Sequence, residues 1–206
     1  MYALATQRSG GTAFCLNYAF EHNIEYGGEL TLPFVNPGTP TTENPFVNLK
    51  QLYHETGIQP TYTMDEFLTN MSELKNPSKI FLVTVPLGIY LIEDADFLIS
   101  RKNIKNISAS FVNYTLKISP EVGQIDGYVD ISQAFNRSTG DLKALAVMLQ
   151  HCKNTGKQMT WYEDHFNRTT EYTLYNNWSQ KARFETLIDR HIESIDFQGL
   201  NENIIL

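Results

Sequence analysis

The chain has 206 residues, of which 42% are hydrophobic and 19% charged, with a formal net charge of −7. That length and balance suit one globular domain, residues 1–206, with a substantial buried core. The acidic excess argues against a broad nucleic-acid-binding face and leaves room only for a local basic pocket.

The chain opens on an apolar strand, residues 2–6, that ends in a short Gly-rich loop, Gln7-Arg8-Ser9-Gly10-Gly11-Thr12-Ala13. A helix is expected from Gly11 to His22. A strand, a Gly-rich loop and a helix in that order gather backbone N–H groups and the positive end of a helix dipole at one point, which makes an anion site. Arg8 adds a full positive charge there, and Ser9 and Thr12 add hydroxyl donors. Residues 33–45 hold Pro33, Pro37, Pro40 and Pro45 and read as a long irregular loop. Short helices are expected over 46–55 and 65–74, the second with Thr63 as its cap.

Continuous apolar runs over 79–85 and 96–100 suit strands buried on both faces. A helix is expected from Asn103 to Val112, then a loop with some extended structure over 113–128. Asp141 to Lys153 carries an apolar helical face, opened by Ser138 and Thr139 and closed by Gly156. A last strand covers 157–162 and a terminal helix 179–195. Strands alternating with helices imply an α/β fold: three layers, a mainly parallel sheet and a P-loop-like first β–α unit.

Cys15 and Cys152 stand far apart, outside any metal-ligand spacing, and read as buried thiols. No histidine, cysteine or carboxylate cluster calls for a metal. No apolar run reaches bilayer length, and the basic-then-apolar layout of a signal peptide is absent, so the expectation is a cytoplasmic protein with no membrane span. The six N-x-S/T sequons, at Asn70, Asn106, Asn113, Asn136, Asn167 and Asn177, then reflect an Asn- and Thr-rich composition.

The loop is not a Walker A motif, because no Gly-Lys-Ser/Thr occurs in the chain. Nor is it a dinucleotide fingerprint, because the third glycine and its spacing are absent. Arg8-Ser9-Gly10-Gly11-Thr12 resembles the 5′-phosphosulfate loop of the sulfotransferases, with Gly11 in place of the usual Ser or Thr and Gln7 in place of the usual Pro. Phe97 to Asn103, followed by a helix with Ser108 and Ser110, resembles the family's second motif, which holds the 3′-phosphate of the donor 3′-phosphoadenosine 5′-phosphosulfate (PAPS). With Asn103 as the anchor, Lys102 takes the basic place and Ser110 the hydroxyl place. With Arg101 as the anchor the spacing is one residue long, and Ser108 is the fallback hydroxyl. Glu29 lies as far past Arg8 as the general base does in the carbohydrate, lipid and tyrosyl-protein branches. Thr160-Trp161-Tyr162-Glu163-Asp164 resembles a Tyr-Glu-Asp-Leu signature, with His165 in place of the Leu.

The resemblance spans nearly the whole chain and implies a PAPS-dependent sulfotransferase. It implies PAPS as co-substrate, no metal, and a small-molecule or carbohydrate hydroxyl as acceptor. It makes Glu29 the base and Arg8 the group bridging the leaving phosphate and the sulfuryl oxygens. Ser9, Gly10, Gly11, Thr12 and Ala13 would cradle the 5′-phosphate, and Arg101, Lys102 and Ser110 would hold the 3′-phosphate. Two other readings stay open: a non-catalytic nucleotide- or phosphate-binding protein of the same fold, and a P-loop kinase of a small metabolite. The sequence leaves the oligomeric state open.

Overall fold

Short runs of apolar residues pair into one five-stranded sheet in the computed structural model, which describes residues 1–30, 72–85, 88–118, 131–166, 181–195 and 197. In chain order the elements are β1 (Tyr2–Ala5), α1 (Gly11–His22), β2 (Glu25–Leu30), β3 (Lys79–Thr84), β4 (Phe97–Ser100), α2 (Ile104–Ile118), α3 (Ile131–Thr155), β5 (Met159–Trp161), α4 (Tyr162–Phe166) and α5 (Lys181–Ser194). Every strand pair is parallel, and the order across the sheet is β2-β3-β1-β4-β5.

The central strand explains the layering. All four residues of β1 are buried, as a strand covered on both faces requires. Leu4 pairs with Val83 on one side and Leu98 on the other. These three share a face with Phe81 and Met159, and against it pack Ile104 and Ile107 of α2, Leu145 and Met148 of α3, and Phe184 and Ile188 of α5. The alternate residues Ala3, Ala5, Ile80, Leu82 and Ile99 face the other way, onto Phe14, Cys15 and Ala19 of α1. Small side chains at Ala3 and Ala5 let α1 lie close. A Cβ on Gly11 would sit 3.1 Å from the Ala5 Cβ and 2.6 Å from Leu82 Cδ1, so glycine lets the first turn of α1 sit close on the sheet without displacing Leu82. The expected α/β class with helices on both faces of a parallel sheet is therefore the observed one.

The topology also fixes where a ligand would sit. Parallel strands end at one edge. The chain leaves β1 into α1 on one face and leaves β4 into α2 on the opposite face. The β1–β4 boundary is thus a switch point, where adjacent strand ends open a crevice.

Several boundaries differ from the sequence expectation. Residues 25–30 form a strand, not a loop. Two glycines and two acids hide it, but β2 lies at the edge of the described sheet, where exposed charge is tolerated. A bulge falls between Tyr26 and Gly28, and a Cβ on Gly27 would press into the Phe81 ring, 2.1 Å from Cε1. Helix α2 continues through residues 113–118, and α3 begins ten residues before Asp141. Ser138 and Thr139 look like a cap in sequence. Yet Ser138, Asp141, Leu142, Leu145, Met148 and Leu149 form one buried stripe at helical spacing, so tertiary packing carries the helix through Gly140. The last strand is Met159–Trp161, and Tyr162 already starts α4. The expected features over 33–45, 46–55 and 119–128, and most of 65–74, lie outside the described residues. Both cysteines are free and buried, and burial pushes the Cys15 thiol up to about 12. Among the described residues, no helix is long and apolar enough to cross a membrane.

Leu4 is fully buried at the centre of the sheet. Leu4→Ala is expected to lower unfolding free energy by about 3 kcal/mol, read as a lower denaturant midpoint with an unchanged m-value.

Candidate anion-binding site

The turn between β1 and α1 is held in an uncommon backbone shape. Arg8 has φ 59° and Gly10 φ 75°, both left-handed. For an arginine that region is sparsely populated, so something must hold it there. The Arg101 guanidinium does so: its Nε donates to the Arg8 carbonyl at 3.0 Å. Arg101 is only 4% exposed, and its guanidinium stacks 4.1 Å from the centroid of the Tyr162 ring. The strand ends are also stitched by hydroxyls. Thr6 Oγ1 shares hydrogen bonds with Ser9 Oγ and, at 2.9 Å, with Ser100 Oγ. Ser9 therefore ties the loop to β1 and β4 and is buried.

Gly10 caps α1 in the left-handed conformation, and no side-chain hydrogen bond caps that end. First-turn amides and the positive end of the dipole meet at this end of the helix, the kind of place where an anion binds. A Cβ on Gly10 would fall 2.6 Å from the Tyr162 ring and 2.9 Å from the Phe166 ring, so α4 packs directly on the loop. Thr12 and Ala13 are exposed beside it, and the Thr12 hydroxyl bonds the Tyr26 hydroxyl on β2. Glu29 is exposed on the same face of β2, since it pairs with Leu82, and it lies within electrostatic reach of Tyr26.

The second basic corner is anchored by α4. Glu163 accepts the Lys102 amide at 2.9 Å and the Asn103 amide at 3.4 Å. Lys102 Nζ forms an ion pair with Asp164. Asn103 caps α2, its Oδ1 accepting the Asn106 amide at 3.2 Å. Ser108 and Ser110 lie further along α2, both buried, and Ser108 Oγ has no hydrogen-bond partner.

The structure thus joins Arg8, Ser9, Gly10 and Arg101 directly and ties Lys102 to α4 through Glu163 and Asp164, while Glu29 lies on β2, exposed and within electrostatic reach of Tyr26. Gly11 contributes close helix–sheet packing, which is why no hydroxyl stands there.

Sequence reasoning missed Asp141. It lies on the buried stripe of α3, fully covered, with Oδ1 accepting the Gln7 amide at 3.5 Å and Oδ2 without a partner. Burial pushes its carboxyl well up, and the Gln7 amide opposes that only in part. The available signal was a carboxylate three residues after Ser138 and four before Leu145, inside an otherwise apolar face. Tyr162 and Phe166, which press on Gly10, were also missed as loop supports. Among the described residues, no cluster of three or more His, Cys, Asp or Glu side chains could hold a metal ion.

A scan against family models, a search of curated proteins and a search of solved structures each returned no match.

Two stability effects follow from this geometry. Glu163→Ala strips the acceptor from two backbone amides and is expected to cost about 1–3 kcal/mol, seen as a lower melting temperature. Asp141 has a folded pKa above its unfolded one, so the proton it holds favours the folded state. That contribution is complete below about pH 4 and is lost as pH rises toward the folded value. Relative to Asp141→Asn, the wild type should therefore lose stability as pH rises, which paired denaturant titrations across pH would measure.

Proposed function

We propose that the protein transfers a sulfuryl group from PAPS to a hydroxyl of a small-molecule or carbohydrate acceptor. The observation that carries this reading is the direct bond between Arg101 and the Arg8 carbonyl at the β1–β4 switch point. It ties the backbone of the β1 loop to the strand end that precedes Lys102, which supports reading the two basic corners as parts of one site. The residues also fit a doubly anionic nucleotide. The uncapped amino end of α1 offers amides to one phosphate. The start of α2, with Arg101, Lys102 and the unpartnered Ser108 hydroxyl, offers donors to another, and Ser110 lies on the same helix.

PAPS, when bound, supplies the sulfuryl group and departs as adenosine 3′,5′-bisphosphate. In this reading Arg8 and the amides of residues 10–13 neutralise the charge that grows on the leaving phosphate, where fixed donors lower the barrier most. The Arg101 bond keeps Arg8 in the conformation from which its side chain serves. Glu29, an exposed carboxylate flanking the first turn of α1, takes the proton from the acceptor hydroxyl. The missing hydroxyl at Gly11 leaves the loop to act through its amides.

Adenosine 3′,5′-bisphosphate tests this directly. At about a hundredfold excess over Kd it should stabilise the protein by about 2.7 kcal/mol, read as a raised melting temperature, and Arg8→Ala should abolish the shift. Glu29→Gln should keep the shift and lose turnover by at least about a hundredfold. A wild type that ignores the bisphosphate would refute the reading. A Glu29→Gln variant with full turnover would remove Glu29 as the base.

A further inference from the structure

Asp141 is the only buried carboxyl among the described residues, and the proposed transfer gives it no part. Its place is specific. The amino-terminal half of α3 reaches the carboxyl edge of the sheet, and Asp141 meets the first amide of the anion loop there, at Gln7. One turn earlier on the same stripe lies Ser138, also fully covered and without a partner at its hydroxyl.

We propose that Asp141 is a positioning residue for the anion loop that works as a neutral carboxyl, holding the Gln7 amide from the interior without placing a negative charge beside the bound anion. The inference rests on the loop being an anion site, as proposed above.

Three observations support it. First, the 3.5 Å contact to the Gln7 amide is long. At that length the amide gives an ionised carboxylate little support. Second, Oδ2 has no partner at all, and an ionised, fully covered carboxylate with an empty oxygen is strongly disfavoured. Third, among the described residues no charged group joins burial and the Gln7 amide in shifting the Asp141 carboxyl. The helices packed on α3 bury Asn106, Ile107 and Ser108 of α2 and Phe184, Ile188 and Ile192 of α5, and β1 leads into the buried Thr6. Arg101 donates to the Arg8 carbonyl and stacks on Tyr162, and Lys143 on α3 is exposed and acts on His191. Burial and the Gln7 amide alone shift the Asp141 carboxyl, and burial dominates. A neutral acid there is the solution that serves an anion site, because a second negative charge in a low-dielectric interior would repel the ligand.

The test combines a spectroscopic signature with rescue by an isostere. Infrared difference spectra of wild type against Asp141→Asn at about pH 7 should show a protonated-carboxyl stretch that the variant lacks. Calorimetry with inorganic sulfate, and separately with adenosine 3′,5′-bisphosphate, reads the loop. Asp141→Asn keeps the amide acceptor and the neutral charge and should bind both within about threefold of wild type. Asp141→Ala loses the acceptor and should bind about tenfold more weakly. Absence of the infrared band, or an Asn variant at least about tenfold weaker than wild type, overturns the proposal. Should Asp141→Ala fail to fold, the band and the Asn variant decide. If wild type binds neither probe, the anion loop itself is refuted and this inference with it. If wild type binds and only the Asn variant fails, the loop stands and the role of Asp141 falls.

Discussion

One hydrogen bond organises the carboxyl edge of this sheet: Arg101 Nε to the Arg8 carbonyl. It spans two strands whose following helices leave on opposite faces, so it closes the place where the topology opens a crevice. A backbone carbonyl is turned toward a buried guanidinium, and the arginine that owns it adopts a left-handed conformation. Everything else at the site secures one end of that bond. The Tyr162 ring lies against the guanidinium, Thr6 and Ser100 lock the strand ends together, and Glu163 fixes the amides that follow Arg101. Charge-assisted bonds of this kind are worth more than neutral ones, and burial screens them from salt.

The short helix α4 is the structural partner of both corners. Its Tyr162 and Phe166 fill the space above Gly10, while its Glu163 and Asp164 take the amide and ammonium groups of residues 102 and 103. A five-residue helix has little stability of its own. It holds because it is sandwiched between two loops that it in turn immobilises, so loop order and helix order are mutually dependent.

Much of the architecture was legible in the sequence, for a simple physical reason. Buried parallel strands are apolar throughout, so residues 2–5, 79–84 and 97–100 declared themselves, and Gly10-Gly11 marked the start of α1. The β1–α1 turn was legible because a strand running into Gly10-Gly11 is a local pattern. What local patterns do not encode was missed. Strand β2 was hidden because an edge strand needs little apolar character, and Gly27-Gly28 gives no strand signal although Gly27 answers to the Phe81 ring across the sheet. The early part of α3 was hidden because Ser138 and Thr139 imitate a cap. Asp141 was hidden for a related reason: its meaning depends on Gln7, a residue 134 positions away in sequence. The roles of Arg101 and Glu163 likewise depend on which strand ends meet, and spacing alone does not state that.

The close seat of Gly11 reaches beyond the loop itself. Leu82 Cδ1 and the Ala5 Cβ occupy the volume a side chain would need. Position 11 is therefore coupled sterically to position 82 on a neighbouring strand. A serine or threonine there requires the Leu82 side chain to shift or to shrink, for instance to valine or alanine. A library varying residues 11 and 82 together should therefore admit more side chains at position 11 than one varying residue 11 alone.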